Sequence, residues 1–180
     1  MIDSHCHLAD EVFHGDLEAV VARARAAEVD AALCVLDATN EAEMKRAVRV
    51  AAVWPAVRFA VGVHPHQAGQ FAGCVEEVES YLRGAIDRRP GTCAIGEIGL
   101  DYHYDYAPRD VQRQVFRSQI RVARDLGYPI VIHTREADDD TFAILTEGGE
   151  LPGAGVFHCF TGDIETARRA VDLGFYVSFS

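Results

Sequence analysis

The sequence predicts a parallel β/α barrel in which about seven of eight strands are present. Three observations carry that prediction: short apolar runs alternate with amphipathic segments along the chain, the runs are apolar on both faces, and several of them end in a histidine or a glutamate. Strands that are apolar on both faces and joined by helices imply a parallel sheet covered on both sides, either doubly wound or closed. A doubly wound sheet calls for a glycine-rich loop after its first strand, but here that strand ends in His5-Cys6-His7-Leu8. A barrel gathers its functional residues at the C-terminal ends of many strands, so the barrel is preferred.

The elements follow in order. Met1 to Cys6 is the first strand, and Leu17 to Ala27 the first helix, with apolar residues three and four apart. Ala31 to Leu36 is the second strand, followed by a helix over Glu41 to Val53 for which Asn40 and Glu43 are spaced as a capping box. Val57 to Val63 and Thr92 to Ile98 are strands three and four, separated by a helix over Val75 to Arg88. The longest helix, Arg109 to Leu126, has Pro108 in its first turn and Gly127 where a left-handed residue is wanted. Pro129 to Ile132 and Gly155 to Phe157 are strands five and six, and Ile164 to Leu173 is a helix closed by Gly174. Phe175 to Phe179 is strand seven. With no linker or low-complexity stretch, residues 1–180 read as one domain.

Composition narrows the function. A net charge of −11 argues against a broadly basic surface gripping nucleic acid through phosphates alone. It does not oppose a site in which bound divalent cations are the largest local charges. Cys6, Cys34, Cys74, Cys93 and Cys159 are odd in number and scattered, which suits a reducing compartment. The sequence has no signal-like leader and no apolar run of membrane-spanning length, so the cytoplasm is expected and no membrane partner is.

His5 and His7 are two apart on a strand and project to the same face, with Cys6 turned toward the helices. Glu97 lies inside the apolar run Ile95 to Leu100, where an unpaired charge is very costly, so it calls for a cation. His133 and His158 each follow an apolar strand directly. Singly, His5 and His7 read as well as two surface histidines near a terminus, and His133 and His158 read rather as satisfied core histidines; together, four strand ends supplying His, His, Glu, His and His point to a metal site. Imidazole plus carboxylate suits Zn, Mn, Fe or Ni, with Mg possible where water fills several positions. Glu97 can bridge two divalent ions, and such a pair can activate water against a phosphodiester.

The strings DSHCHL at Asp3, GVHPH at Gly62, IGEIGLDY at Ile95, PIVIHTREA at Pro129, GVFHCFTGD at Gly155 and YVSFS at Tyr176 resemble, in order and spacing, the TatD family of metal-dependent deoxyribonucleases. The resemblance covers the whole chain. It implies a TIM-like barrel of the amidohydrolase superfamily and 3′-to-5′ cleavage of DNA, with single-stranded or frayed ends as substrate and two divalent metal ions as cofactors. It assigns His5 and His7 to one ion, Glu97 to both, and His133 and His158 to the second.

His64 and Arg135 are the candidate catalytic residues: His64 either to contact the scissile phosphate or the developing charge or to serve a structural role, and Arg135 either to clamp a phosphate with its planar fork or to form a helix-capping or rim ion pair. His66 reads as solvated or loop-stabilising. Asp3 and Asp101 are candidates to orient imidazoles, since metal-bound histidines usually donate their other N–H to a carboxylate or carbonyl. Cys159 reads as a buried thiol, and His14 and His103 have no motif position.

The resemblance also implies an eighth strand with a Thr-Asp-x-Pro-like motif whose aspartate binds metal. No Thr-Asp dipeptide occurs here, and Asp163 opens a helix instead. The domain is therefore expected to lack its last strand and C-terminal helices, as a fragment of a longer product, a chain completed by another, or an inactive remnant. Two alternatives remain for function: hydrolysis of an ester or amide, including an aminoacyl ester on tRNA, and metal binding without catalysis.

Overall fold

The computed structural model describes residues 1–104, 106–149 and 155–179. Seven strands, β1 (Ile2–Cys6), β2 (Ala31–Asp37), β3 (Arg58–Gly62), β4 (Thr92–Asp101), β5 (Ile130–Arg135), β6 (Val156–Phe157) and β7 (Tyr176–Val177), pair in chain order and all in parallel. One α-helix lies in each crossover: α1 (Leu17–Ala26), α2 (Glu41–Val53), α3 (Val78–Asp87), α4 (Arg109–Leu126), α5 (Asp138–Thr146) and α6 (Ile164–Asp172). The parallel α/β barrel read from the sequence is thus the observed architecture, curled but with β1 and β7 as its two edges among the described residues.

Side-chain alternation sorts the core into two layers. Cys34, Leu36, Phe59, Val61, Ile130, Ile132 and Phe157 point outward and pack against the helices. Val35, Ala60, Ala94 and Val131 form a smaller cluster on the inner face, one from each of four neighbouring strands. The inner positions nearer the strand ends are the site residues: His64 follows Ala60 at even spacing, His133 follows Val131, and His158 follows Val156.

β4 departs from strict alternation. Its pairing with β5 shifts register between Ile95 and Ile98, so both of these isoleucines face the helices, and the residue between that would otherwise point outward, Glu97, turns inward. Three glycines make room there: a Cβ on Gly62 would meet Gly96, one on Gly96 would meet Val131, and one on Gly99 would meet the His133 carbonyl.

Several local expectations need correction. The sequence pattern gives no helix at α5, because three consecutive aspartates open it and its nine residues show little amphipathic pattern; Thr141, Phe142, Ile144 and Leu145 are nevertheless buried. The capping box at α2 is half made: the Glu43 N–H donates to Asn40 Oδ1 at 3.1 Å, but the Glu43 carboxylate accepts from the Asp37 N–H rather than from Asn40. Pro108 stands one position before α4, at its cap, and Gly127 closes that helix at φ 68° as expected. β6 and β7 are two residues each, shorter than their apolar runs. Ser180 lies outside the described residues. Among the described residues, no helix is long and apolar enough to cross a membrane.

Candidate metal centre

The inner ends of β1, β3, β4, β5 and β6 bring six residues together. His5 Nε2 lies 3.1 Å from His7 Nε2 and 3.5 Å from Glu97 Oε2. One donor atom from each of these three residues lies within 4.8 Å of the others. On the other side of Glu97, Oε1 is 3.0 Å from His133 Nδ1 and 3.8 Å from His64 Nε2. His158 lies flat against His5, with ring centroids 3.4 Å apart and planes at 9°. That stack joins the end of β1 to the end of β6, which only a strongly curled sheet allows.

His133 gathers with His64 and His66, whose donor atoms lie within 4.8 Å of one another, while His158 sits beside His5. His66, expected to be solvated or loop-stabilising, is half-buried and places Nε2 2.9 Å from Asp101 Oδ2. The same oxygen meets His133 Nε2 at 2.9 Å, so Asp101 does orient an imidazole. Asp3 does not: its carboxylate accepts from the His5 backbone N–H at 3.0 Å, where the pairing of β1 with β2 is irregular between Asp3 and Cys6.

Burial and charge oppose one another across the site. Glu97 is 8% exposed; burial pushes its carboxyl up, yet the His133 hydrogen bond and the surrounding imidazoles outweigh that and hold it near about 2. Burial lowers His5 to about 4 and His64 to about 3, keeping both neutral, as a metal ligand must be. His158 is lowered for the same reason. His133 moves the other way: burial disfavours its charge, but two carboxylates facing its two nitrogens raise it.

The donors fit a divalent cation. Two basic Nε2 atoms and an ionised carboxylate face one another, and the buried Nδ1 atoms of His5 and His158 have no hydrogen-bond partner among the described residues. Buried polar atoms are rarely left so. A cation among these atoms would relieve the lone-pair crowding. Cavities of about 210 Å³, bordered by His7, His64, His66 and Glu97, and about 270 Å³, bordered by Arg135 and His158, open beside the cluster.

Arg135 ends β5 with its guanidinium 4.7 Å from the Tyr104 ring centroid, and among the described residues it forms no ion pair. Cys159, expected to be buried, is exposed and held at φ 47°, because the turn after β6 points its side chain away from the core. Asp163 caps α6, accepting from the Thr166 N–H at 2.8 Å. His103 pairs on the surface with Glu136 at 2.7 Å.

Two supports went unnoticed in the sequence. Gln112 and Gln119 lie seven apart on the buried face of α4. Gln119 accepts from the Val63 N–H at 2.7 Å and donates to the Val63 carbonyl at 3.0 Å; Gln112 does the same for Asp101, at 2.8 and 3.0 Å. They fix the backbone beside His64 and at Asp101. Their signal was present, as two amides seven apart among mostly apolar buried positions.

The family model described as TatD related DNase matches residues 2–180. The chain is 37% identical over 179 residues to the uncharacterized metal-dependent hydrolase YabD of Bacillus subtilis, covering 99% of this chain and 68% of that protein. It is 35% identical over 181 residues to the 3′-5′ ssDNA/RNA exonuclease TatD of Klebsiella pneumoniae, covering 100% of this chain and 66% of that one. Among solved structures, the TatD homologue YJJV of Escherichia coli superposes with a TM-score of 0.82 at 30% identity, over 98% of this chain and 66% of that one. The chain spans about two-thirds of the length of these relatives. It belongs to the TatD-related DNase family of metal-dependent hydrolases.

Proposed function

We propose that the protein to which this chain belongs hydrolyses phosphodiesters at single-stranded or frayed DNA ends, in the 3′-to-5′ direction and with two divalent cations. The observation that carries this reading is the convergence of His5 Nε2, His7 Nε2 and a Glu97 oxygen on one point, with a second carboxylate oxygen turned toward His133. His5, His7 and Glu97 would hold one cation. Glu97, His133 and His158 would hold the other, as the family motifs imply, with His64 and His66 as the neighbours that the geometry adds.

Divalent cations there would supply Lewis acidity to the phosphoryl group and lower the pKa of water. The chain's own residues do the rest. His64, kept neutral by burial, presents Nε2 at the inner rim and can hydrogen-bond a phosphate oxygen. Asp101 fixes the ring planes of His66 and His133. Arg135 supplies a planar fork for a neighbouring phosphate. Residues 1–180 read as one domain that corresponds to about two-thirds of the length of the relatives it matches. Five free thiols support a cytoplasmic setting.

The test is cleavage of a 5′-labelled single-stranded oligonucleotide by the full-length protein with Mn²⁺, Mg²⁺ or Zn²⁺, beside p-nitrophenyl ester and aminoacyl-tRNA substrates. The expected result is metal-dependent shortening from the 3′ end. Intact DNA with every metal, together with turnover of an ester, would overturn the reading.

A further inference from the structure

The mouth of the barrel carries two large aromatic rings that the fold does not bury. Tyr104 is 45% and Tyr106 65% exposed, and their rings stack with centroids 5.4 Å apart and planes at 5°. This pair is tied directly to the metal centre. The Tyr104 N–H donates to Asp101 Oδ1 at 3.0 Å, and Asp101 Oδ2 in turn meets both His66 and His133. The His66 ring stands edge-on to both tyrosines, with centroids at 5.5 and 4.8 Å. Arg135 lies over the Tyr104 ring. Thus an exposed aromatic stack, a guanidinium and a metal-site imidazole share one rim.

We propose that the Tyr104–Tyr106 stack is a seat for a nucleobase of the substrate strand, which extends the stack on Tyr106 while Arg135 takes an adjacent phosphate. The proposal rests on the nuclease reading above and deepens it by naming what holds the strand. Three features favour a base over another ligand. Exposed aromatic faces are sequence-tolerant stacking surfaces, because every base has a π-face. A net charge of −11 denies the protein a general phosphate-binding surface, so affinity must come from local features. The His66 ring has its centroid 4.8 Å from that of Tyr106 and 6.0 Å from that of His133, so a base stacked there leaves its own backbone phosphate within reach of the cluster.

The test is anisotropy titration of the metal-loaded protein with a fluorescein-labelled single-stranded phosphorothioate oligonucleotide, against the same strand with abasic sites at its three 3′-terminal positions. The unsubstituted protein binds the base-bearing strand about tenfold more tightly, the order expected for one stacked base. Tyr106→Ala abolishes that preference, weakening the base-bearing strand and not the abasic one, and Tyr106→Phe restores it. A Tyr106→Ala protein that keeps the preference would overturn the seat while leaving the nuclease reading intact, since the strand still binds. Failure of the unsubstituted protein to bind either strand would overturn both.

Discussion

Gly99 on β4 lies against the backbone of His133 on β5 so closely that a single added methyl would collide with the His133 carbonyl oxygen. Its φ of 142° also suits glycine rather than an L-residue. Gly99→Ala should therefore cost at least about 2 kcal/mol in urea unfolding and weaken metal binding by displacing His133. Gly84→Ala on α3, where the space is open enough for a methyl, should instead stabilise by about 0.5–1 kcal/mol. Equal effects of the two substitutions would contradict the packing described.

The grip of Gln119 on Val63 leads to a second expectation. Gln119→Leu keeps the apolar volume but leaves a buried N–H and a buried carbonyl without partners, at about 1–3 kcal/mol each. Denaturant unfolding should register that loss, and a loosened His64 should show as shifted imidazole resonances. An unchanged unfolding midpoint would remove α4 as the support of the site.

The sequence made the barrel and most of the site legible, for identifiable reasons. His5, His7, His133 and His158 end apolar strands at inward positions, so alternation alone places them. Glu97 was found by its cost in an apolar run, although simple alternation would have turned it outward; the register shift in β4 is a property of the pairing with β5 that no local pattern encodes. His66 was underrated because its partner, Asp101, is thirty-five residues away in the chain. Residue type alone points Cys159 inward, whereas its turn conformation goes with an exposed side chain. The stacking of His158 on His5 depends on how far the sheet curls, which is set by the whole strand set.

Glu43, which borders the same cavity as His7 and Glu97, provides a pH-dependent test. Burial and the neighbouring Asp37 raise its carboxyl to about 7 from 4.5, despite its hydrogen bond from the Asp37 N–H. A folded-state pKa above the unfolded one means that stability present below pH 4.5 is lost as pH rises through about 7. Glu43→Gln should match the parent below pH 4.5 and exceed it by roughly 3 kcal/mol above pH 7, from about 1.4 kcal/mol per pKa unit. Unfolding of both metal-free proteins across this range checks it, and a pH-independent difference would sink it.

Metal should also stabilise the fold, because its ligands join strand ends far apart in the chain. At a free Mn²⁺ or Zn²⁺ concentration about 100 times Kd, linkage gives about 2.7 kcal/mol. For a domain of this size that is about 5–10 °C in Tm. A chelator should reverse the gain, and a melting curve indifferent to metal would argue against a shared site.

The most direct measurement is calorimetric titration of the metal-stripped chain with Mn²⁺ and Zn²⁺, beside Glu97→Gln and His5→Ala. If Glu97 and the surrounding imidazoles form a metal centre, the chain binds divalent metal and each substitution weakens it by about 100-fold or more, equivalent to about 2.8 kcal/mol. Metal binding that is absent, or that survives Glu97→Gln unchanged, would contradict it.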